Sequence, residues 1–285
     1  MNLTQQLING VILAAGYACV AIGWTVLLGA ARLVNFAHGQ LFMLGAFAAW
    51  FAMQRAGVSY GVSILVAVVV MAVLGIVMQL AMRRLVVEQN LTSLMIVTLG
   101  FGYVLQGAAA KAFGGSPQSL VSPLEKASVR WGELWFSWQD VLLVAVTVPL
   151  FAALWLVLER TRLGATVRAV AEDPKLAQLF GLNPAWTYTG VFVFEAASVA
   201  FAATLIAPRS PILTSMGFDE VILTFVVVVL GGVGSIGGTL LASLGLGLFT
   251  AFFGALVSPA YTTAAAFAVL LTVLVIRPGG LSGTR

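Results

Sequence analysis

The stretch VILTFVVVVLGGVGSIGGTLLASLGLGLFTAFFGALVSPAYTTAAAFAVLLTVLVI, residues 221–276, decides the fold because it contains no acidic or basic residue. A helix needs about 20 apolar residues to cross the hydrocarbon core of a bilayer, so this block is long enough for two or three passes. The glycine-rich residues 231–238 and the pair Ser258-Pro259 offer breaks between passes. The stretch therefore predicts a protein that crosses the membrane repeatedly.

The rest of the chain agrees with this prediction. Of its 285 residues 61% are hydrophobic and 8% are charged, whereas soluble domains carry about 25% charged residues. Six more apolar stretches are helix candidates, at about 9–31, 38–53, 58–82, 91–110, 141–158 and 186–207. We expect an all-α polytopic membrane protein with eight or nine transmembrane helices, at least one of them broken or re-entrant, in one membrane domain over residues 1–285. The basic residues lie between apolar blocks and form no continuous patch, which excludes a nucleic-acid binder.

The basic residues also predict an orientation. Lysine and arginine near helix ends collect on the cytoplasmic side, and they are dense at Arg83-Arg84 and in the loop 159–184. We therefore expect the loop 159–184 to be cytoplasmic and the loop 111–140 to be periplasmic. With nine spans the N-terminus lies outside.

Polar residues interrupt the start of the second apolar stretch, in the run Asn35-Phe36-Ala37-His38-Gly39-Gln40. Polar groups at membrane depth survive where they face protein or a water-filled path. This run is a candidate for a transport pathway, and the alternative is a satisfied structural helix end. A metal site is not expected, because no second histidine or cysteine lies nearby.

A second interruption is the glycine-rich run 231–238, in which Gly232, Gly234 and Gly237 have the spacing of a dinucleotide-binding motif. That motif needs an acidic residue about 20 positions further on, and no acidic residue follows Glu220. Glycine in membrane helices permits close packing or a break that helps to form a substrate site. Both readings stay open.

An acidic residue, Glu195, lies in the middle of the stretch 186–207. A carboxylate at this depth costs at least ~2.5 kcal/mol, so it must be protonated, paired or facing water. A pathway or interhelical hydrogen-bond role, a purely structural role and proton coupling are the three alternatives. We expect no second acid or base in the spans to act as its proton-relay partner.

The loop 159–184 holds a predicted short helix. Asp173 and Pro174 suit the N-cap and first position, and Gly181 suits the residue after the end. The apolar residues Leu176, Leu179 and Phe180 have the spacing of one helix face. Two turns are unstable alone, so this face packs either on its own bundle or on another protein.

No Walker A phosphate-binding motif, metalloprotease motif or serine-hydrolase motif occurs in the sequence, and we identify no catalytic residue. If ATP powers this protein, the ATPase is a separate chain. A membrane-embedded enzyme is disfavoured because no acid pair, metal set or nucleophile constellation is visible in the spans.

Several segments resemble one known family. The run 33–45, LVNFAHGQLFMLG, is similar to the Asn-Phe-Ala-His-Gly segment of the branched-chain amino-acid ABC transporter permeases. The agreement extends over nearly the whole chain and continues in order with Thr98-Leu99-Gly100 and Gln106, with 168–183, with 231–238, and with the closing Arg277-Pro278-Gly279-Gly280-Leu281. The length resembles that of the shorter of two permeases.

The resemblance implies an inner-membrane importer built from two different permeases, two cytoplasmic ATPases and a periplasmic substrate-binding protein. It implies no cofactor in this chain, with ATP and Mg bound in the ATPase subunits. Branched-chain or other hydrophobic amino acids are the expected substrates, and relatives that import urea, short amides or aromatic acids give the alternative. A proton-coupled secondary transporter is a competing function of another class.

The resemblance also assigns residues. It implies that Glu172 to Gly181 form the segment that docks on the ATPase, and that Asn35 to Gln40 and the run 231–238 border the substrate path. Thr98 and Gln106 lie in the matching segments and join this path. Glu195 departs from the small or apolar residue expected at its position, which leaves the substrate open.

Overall fold

The computed structural model describes residues 2–87, 90–125, 128–131 and 134–282. These residues form a bundle of α-helices joined by short loops. The helices are α1 (Leu3–Ala31), α2 (His38–Ala56), α3 (Tyr60–Val87), α4 (Leu91–Phe113), α5 (Trp138–Arg160), α6 (Arg162–Glu172), α7 (Pro174–Leu179), α8 (Pro184–Ile206), α9 (Met216–Gly231), α10 (Ile236–Leu256) and α11 (Thr262–Ile276).

Among the described residues, seven helical segments are long and apolar enough to cross a membrane. They are α1, α3, α4, α5, α8, α10 and the segment Pro259–Ile276, in which the short 3-10 turn Pro259–Tyr261 extends α11 to 18 residues. The other two long helices of the bundle fall short for different reasons. The 19 residues of α2 include His38, Gln40 and Arg55, which lower its mean hydropathy, and α9 has only 16 residues. The predicted eight or nine spans are therefore slightly too many for full crossings, and they are compatible with seven spans plus two embedded helices.

The uncharged block 221–276 divides as predicted. It contains most of α9 and all of α10 and α11, with breaks at the glycine-rich run and just before Pro259. Ser235 caps α10 by accepting a hydrogen bond from Gly238 N, and Ser258 accepts one from Ala260 N ahead of α11. Small polar residues thus start helices that the apolar composition alone does not separate.

Close helix packing places α1 at the centre of the bundle. Gly23 lies against the backbone of Glu195 on α8, and Gly10 lies against Leu248 on α10. Without a hydrophobic driving force between helices in lipid, association depends on such close backbone approach. The result is that the middle of α8 is enclosed by α1, α2 and α3.

The two ends of the bundle are fixed by hydrogen bonds and ion pairs. At the end that holds the N-terminus, Gln5 donates to the carbonyl oxygen of Trp135 over 3.0 Å, and Arg209 lies 3.0 Å from the carboxylate of Asp140. At the other end Leu281 N donates to the carbonyl oxygen of Leu230 over 2.8 Å. The termini therefore lie at opposite ends, as an odd number of crossings requires. Following the basic-residue pattern, we name these the outer and inner ends.

The all-α prediction has one exception, in the loop 111–140. Ser128–Trp131 and Leu134–Ser137 pair as two antiparallel strands, with Val129 opposite Phe136. Both segments contain β-branched or aromatic residues, which favour strands. This ribbon lies at the outer end and leaves the helical bundle unchanged.

The most unusual feature of the bundle is that α2 and α9 begin inside it. Residues 32–37 turn back from the end of α1, and α2 starts beside Trp24, two turns before that end. The start of α9 meets it there, because the backbones of Gly39 and Gly217 are in direct contact. This contact is possible only between residues without a Cβ. Two helix starts are thereby positioned in the interior.

Candidate functional site

A buried polar cluster surrounds Glu195, at the middle of α8. Asn35 Nδ2 donates to both carboxylate oxygens over 3.1 and 3.0 Å, and His38 Nδ1 lies 3.1 Å from Oε1. Glu195 and His38 are both 0% exposed, and Asn35 is 1% exposed. A carboxylate that accepts two hydrogen bonds from Asn35 and lies beside His38 is stabilised in an apolar bundle where an isolated one is not.

The cluster also determines how the chain enters α2. Asn35 Oδ1 accepts a hydrogen bond from Ala37 N over 3.0 Å, and His38 N donates to the carbonyl oxygen of Asn35. The turn ahead of α2 is therefore closed on itself and attached to α8 through Glu195. In the unwound residues 32–37, the side chain of Asn35 and the amides of Phe36 and Ala37 find hydrogen-bond partners inside protein, as irregular backbone at membrane depth requires.

An aromatic ring covers the other side of the histidine. Trp24 of α1 stacks on His38 with ring centroids 5.1 Å apart and planes at 9°. Trp24 Nε1 and His38 Nε2 are buried, and neither has a hydrogen-bond partner. Trp24 is not among the predicted site residues, because a tryptophan in an apolar span gives no sequence signal of what it contacts.

Two predicted pathway residues adjoin this cluster, and a third lies further out. Phe36 N donates to the hydroxyl of Thr98 on α4 over 3.2 Å. The amide of Gln40 is buried beside Gly102, and its Oε1 has no hydrogen-bond partner. Gln106 lies two turns beyond Thr98 on the same helix and is half-buried.

The glycines of the run 231–238 lie elsewhere, at the inner end between α9 and α10. Gly232 and Gly234 have φ values of 100° and 77°, which other residues rarely adopt, and Gly234 packs against Gly29 of α1. Gly237 has open space where a Cβ would lie. The residues predicted to border one path therefore occupy two places, an interior cluster and a turn at the inner end.

The predicted short helix is present as α7. Asp173 accepts hydrogen bonds from Lys175 N and Leu176 N, Pro174 is its first residue, and Gly181 follows it with a φ of 80°. Its apolar face points away from the bundle: Leu176 is 51% exposed, Leu179 83% and Phe180 78%. In the single chain, the alternative that this face packs on its own bundle is wrong. Glu172 lies at the end of α6, directly before the cap.

A groove of about 830 Å³ runs beside α7 at the inner end. The end of α3 lines one wall with Arg83 and Arg84, and residues 181–185 with Gln178 line the other. Gln178 and Gly181 belong both to this groove and to the segment 174–181 that carries the exposed apolar residues. We name the groove and this segment together the inner docking surface.

One sequence-based expectation is wrong in a way that concerns mechanism. We expected no base near Glu195 within the spans, and the structure places His38 against it. The two residues are 157 positions apart, and the turn of residues 32–37 that carries the histidine back beside α8 has no signature in the hydropathy. Among the described residues, no group of three metal-binding side chains occurs.

The sequence profile of the family described as "Branched-chain amino acid transport system / permease component" matches residues 6–275. The chain belongs to this permease family. It is a multi-pass inner-membrane transport subunit rather than an enzyme, and subunits of this kind carry no cofactor themselves.

Several curated permeases are similar to this family member. The high-affinity branched-chain amino acid transport system permease protein BraD of Pseudomonas aeruginosa is 31% identical, with 98% of this chain and 95% of that protein covered. The corresponding protein LivH of Escherichia coli K12 is 30% identical with the same coverage. The permease LivM of Salmonella typhimurium is 26% identical over 80% of this chain and 59% of that protein. The agreement in length with LivH and BraD matches the expectation of the shorter permease type.

The fold of this permease is similar to a solved structure described as PsaBC from Streptococcus pneumoniae in complex with Fab. The superposition gives a TM-score of 0.51 at 13% identity, and it covers 97% of this chain and 92% of that chain. At this identity the likeness shows the fold alone.

Proposed function

We propose that this permease is one of two different permeases in an ATP-driven importer of branched-chain or other hydrophobic amino acids. Its relatives are named for branched-chain amino acid transport and include both LivH-type and LivM-type permeases. Two cytoplasmic ATPase subunits, which bind ATP and Mg, and a periplasmic substrate-binding protein complete the assembly. The whole chain serves as one membrane domain within it.

The observation that carries this proposal is the exposed apolar face of α7. Leu179 and Phe180 present large apolar side chains to solvent at the inner end, although α7 has only six residues and a helix of this length is unstable without packing. A cytoplasmic ATPase subunit that accepts these two side chains stabilises the helix. Arg83 and Arg84, on the α3 wall of the inner docking surface, favour an acidic rim on the subunit that docks there.

Transport then proceeds without covalent chemistry in this chain. ATP binding closes the ATPases, α7 transmits the movement, and the two permeases open a weakly polar cavity alternately to each side. Asn35, His38, Gly39, Gln40, Thr98, Gln106 and Glu195 border the path in the interior. Gly232, Gly234 and Gly237 border it at the inner end. Each state needs to differ by only a few kcal/mol for ligands to shift the population.

The test is a mild-detergent pull-down of tagged permease, followed by an ATPase assay. The double variant Leu179→Asp with Phe180→Asp should insert normally and lose the ATPase subunit. Lys175→Asp places the same charge on a polar exposed position of α7 and serves as the control, which should retain the subunit. Recovery of ATPase activity with the double variant would contradict docking through α7.

A proton-coupled carrier is favoured by one observation, the contact between His38 and Glu195. Two titratable groups within hydrogen-bond distance can exchange a proton. Both are sealed from solvent on all sides in this conformation. A carrier of this type predicts uptake in vesicles without any ATPase subunit and its loss in Glu195→Gln. Uptake that depends on ATP hydrolysis would exclude it.

A further inference from the structure

One acidic side chain of the bundle is exposed inside the membrane region. Asp219 lies in the first turn of α9, and it is exposed among the described residues of the single chain. Asp219 is not among the predicted site residues, because it precedes the uncharged block 221–276. Its depth in the bundle determines what it can face.

Two contacts place Asp219 near the middle of the bilayer. Gly217, two residues earlier, contacts Gly39, and the neighbouring His38 reaches Glu195 halfway along α8. Gly231, at the inner end, lies twelve residues further on, or about 18 Å at 1.5 Å per residue. The hydrocarbon core is about 30 Å thick. Asp219 is therefore far from both membrane surfaces.

The neighbours of Asp219 show which way it points. Gly217 and Val221 face α2, and Asp219 is about 200° around the helix from Gly217. Phe218 contacts Tyr103 of α4, with ring centroids 5.5 Å apart. Glu220, the next acidic residue, lies within electrostatic range of Tyr17 on α1. Asp219 thus points out of the bundle on the side flanked by α4.

A carboxylate in this position cannot face lipid at low cost. At the centre of a helix in the membrane an aspartate is unfavourable by roughly 2.5–3.5 kcal/mol on insertion scales, and such residues face protein or a water-filled cavity. This chain belongs to a permease family, and a permease needs a water-filled path that such a side chain can face. Tyr103 on α4, 58% exposed, borders the same side.

We infer that Asp219 lines the translocation path and contacts the ammonium group of a zwitterionic amino acid as it passes. This inference rests on the proposed function and makes it more specific. A carboxylate attracts a passing ammonium group more strongly than a neutral amide, and it repels an aromatic carboxylate. Apolar groups around it, including Tyr103 and Phe218, suit an apolar side chain on the same substrate.

The first experiment tests whether Asp219 faces water. The chain has a single cysteine, Cys19, which is buried, so an introduced thiol is the accessible one. Asp219→Cys in native membrane vesicles should react with a membrane-impermeant cationic methanethiosulfonate reagent. Val73→Cys, exposed in the middle of α3, is the control at similar depth and should react at least tenfold more slowly. Equal labelling rates for the two variants would overturn the inference.

The second experiment tests recognition of the ammonium group. Uptake of radiolabelled leucine is measured for the complete importer with its binding protein, at equal amounts of inserted permease. Asp219→Asn should lower the uptake rate at least tenfold, Asp219→Glu should retain most of it, and Asp219→Lys should abolish it. Unchanged uptake in Asp219→Asn would overturn this role while leaving the proposed function intact. An unaltered importer that takes up no amino acid would refute both.

Discussion

The hydrogen bonds between Asn35 and Glu195 should be among the strongest interhelical interactions in this bundle. In Glu195→Met the Asn35 amide and His38 Nδ1 lose their partner inside the protein. Each buried unsatisfied group costs about 1–3 kcal/mol, so the variant should lose about 2–6 kcal/mol of stability. Asn35→Leu alone removes two bonds to a carboxylate and leaves His38 as its remaining neighbour.

A double-mutant cycle isolates the interaction from the packing changes. For Asn35→Leu and Glu195→Met we expect a coupling energy of about 1.5–3 kcal/mol, the range for hydrogen bonds to charged groups. The control is the neutral hydroxyl pair Thr25 and Thr239, which lie 2.9 Å apart between α1 and α10. Changing both to valine should give a coupling near ~0.6 kcal/mol, the average for interhelical hydrogen bonds in a membrane protein.

The measurement is unfolding of the purified permease in mixed micelles as the denaturing detergent is increased, with thermal unfolding as a second readout. If the coupling for Asn35 and Glu195 does not exceed that of the threonine pair, the carboxylate is not held by these bonds. The attachment of the turn before α2 to the middle of α8 through these hydrogen bonds would then be refuted.

Three further predictions concern backbone contacts and the outer end. Gly39→Ala places a methyl group against the carbonyl of Gly217 and should destabilise the bundle by about 1–3 kcal/mol or more. Unfolding in mixed micelles measures this loss of stability, and an unchanged stability would contradict the contact. Gly234→Ala forces a strained backbone angle and meets Gly29, so it should reduce the amount of inserted protein, whereas alanine at the uncrowded Gly237 should not. Gln139→Leu removes hydrogen bonds of 3.0 and 2.7 Å to α3 and α8 and should lower the thermal midpoint more than its exposed neighbour Trp138→Leu.

Local chemistry explains what the sequence predicted well. The helix from Pro174 to Leu179 depends on Asp173, Pro174 and Gly181, all within nine residues, so its start and end could be read from adjacent residues. The long spans follow from their uninterrupted apolar composition. The family resemblance added the expectation of a docking segment, and the exposure of Leu179 and Phe180 is consistent with it.

Contacts distant in sequence explain what was not predicted. The pairing of His38 with Glu195 depends on where the chain re-enters the bundle after α1, which no hydropathy pattern encodes. The uncharged block begins at Val221, directly after Asp219 and Glu220. The structure begins α9 at Met216, since the close approach of Gly217 to Gly39 holds the first turn. Charged residues thus mark the end of an apolar block without marking the end of a helix.

The meeting of α2 and α9 through two glycines has a consequence for how motion spreads through the bundle. A contact made only of backbone has no rotamers that can rearrange to absorb a displacement. At this contact a shift of one helix must therefore either move the other helix with it or break the contact. A conformational change that tilts α9 at its start is passed directly to α2, and through Asn35 to the middle of α8.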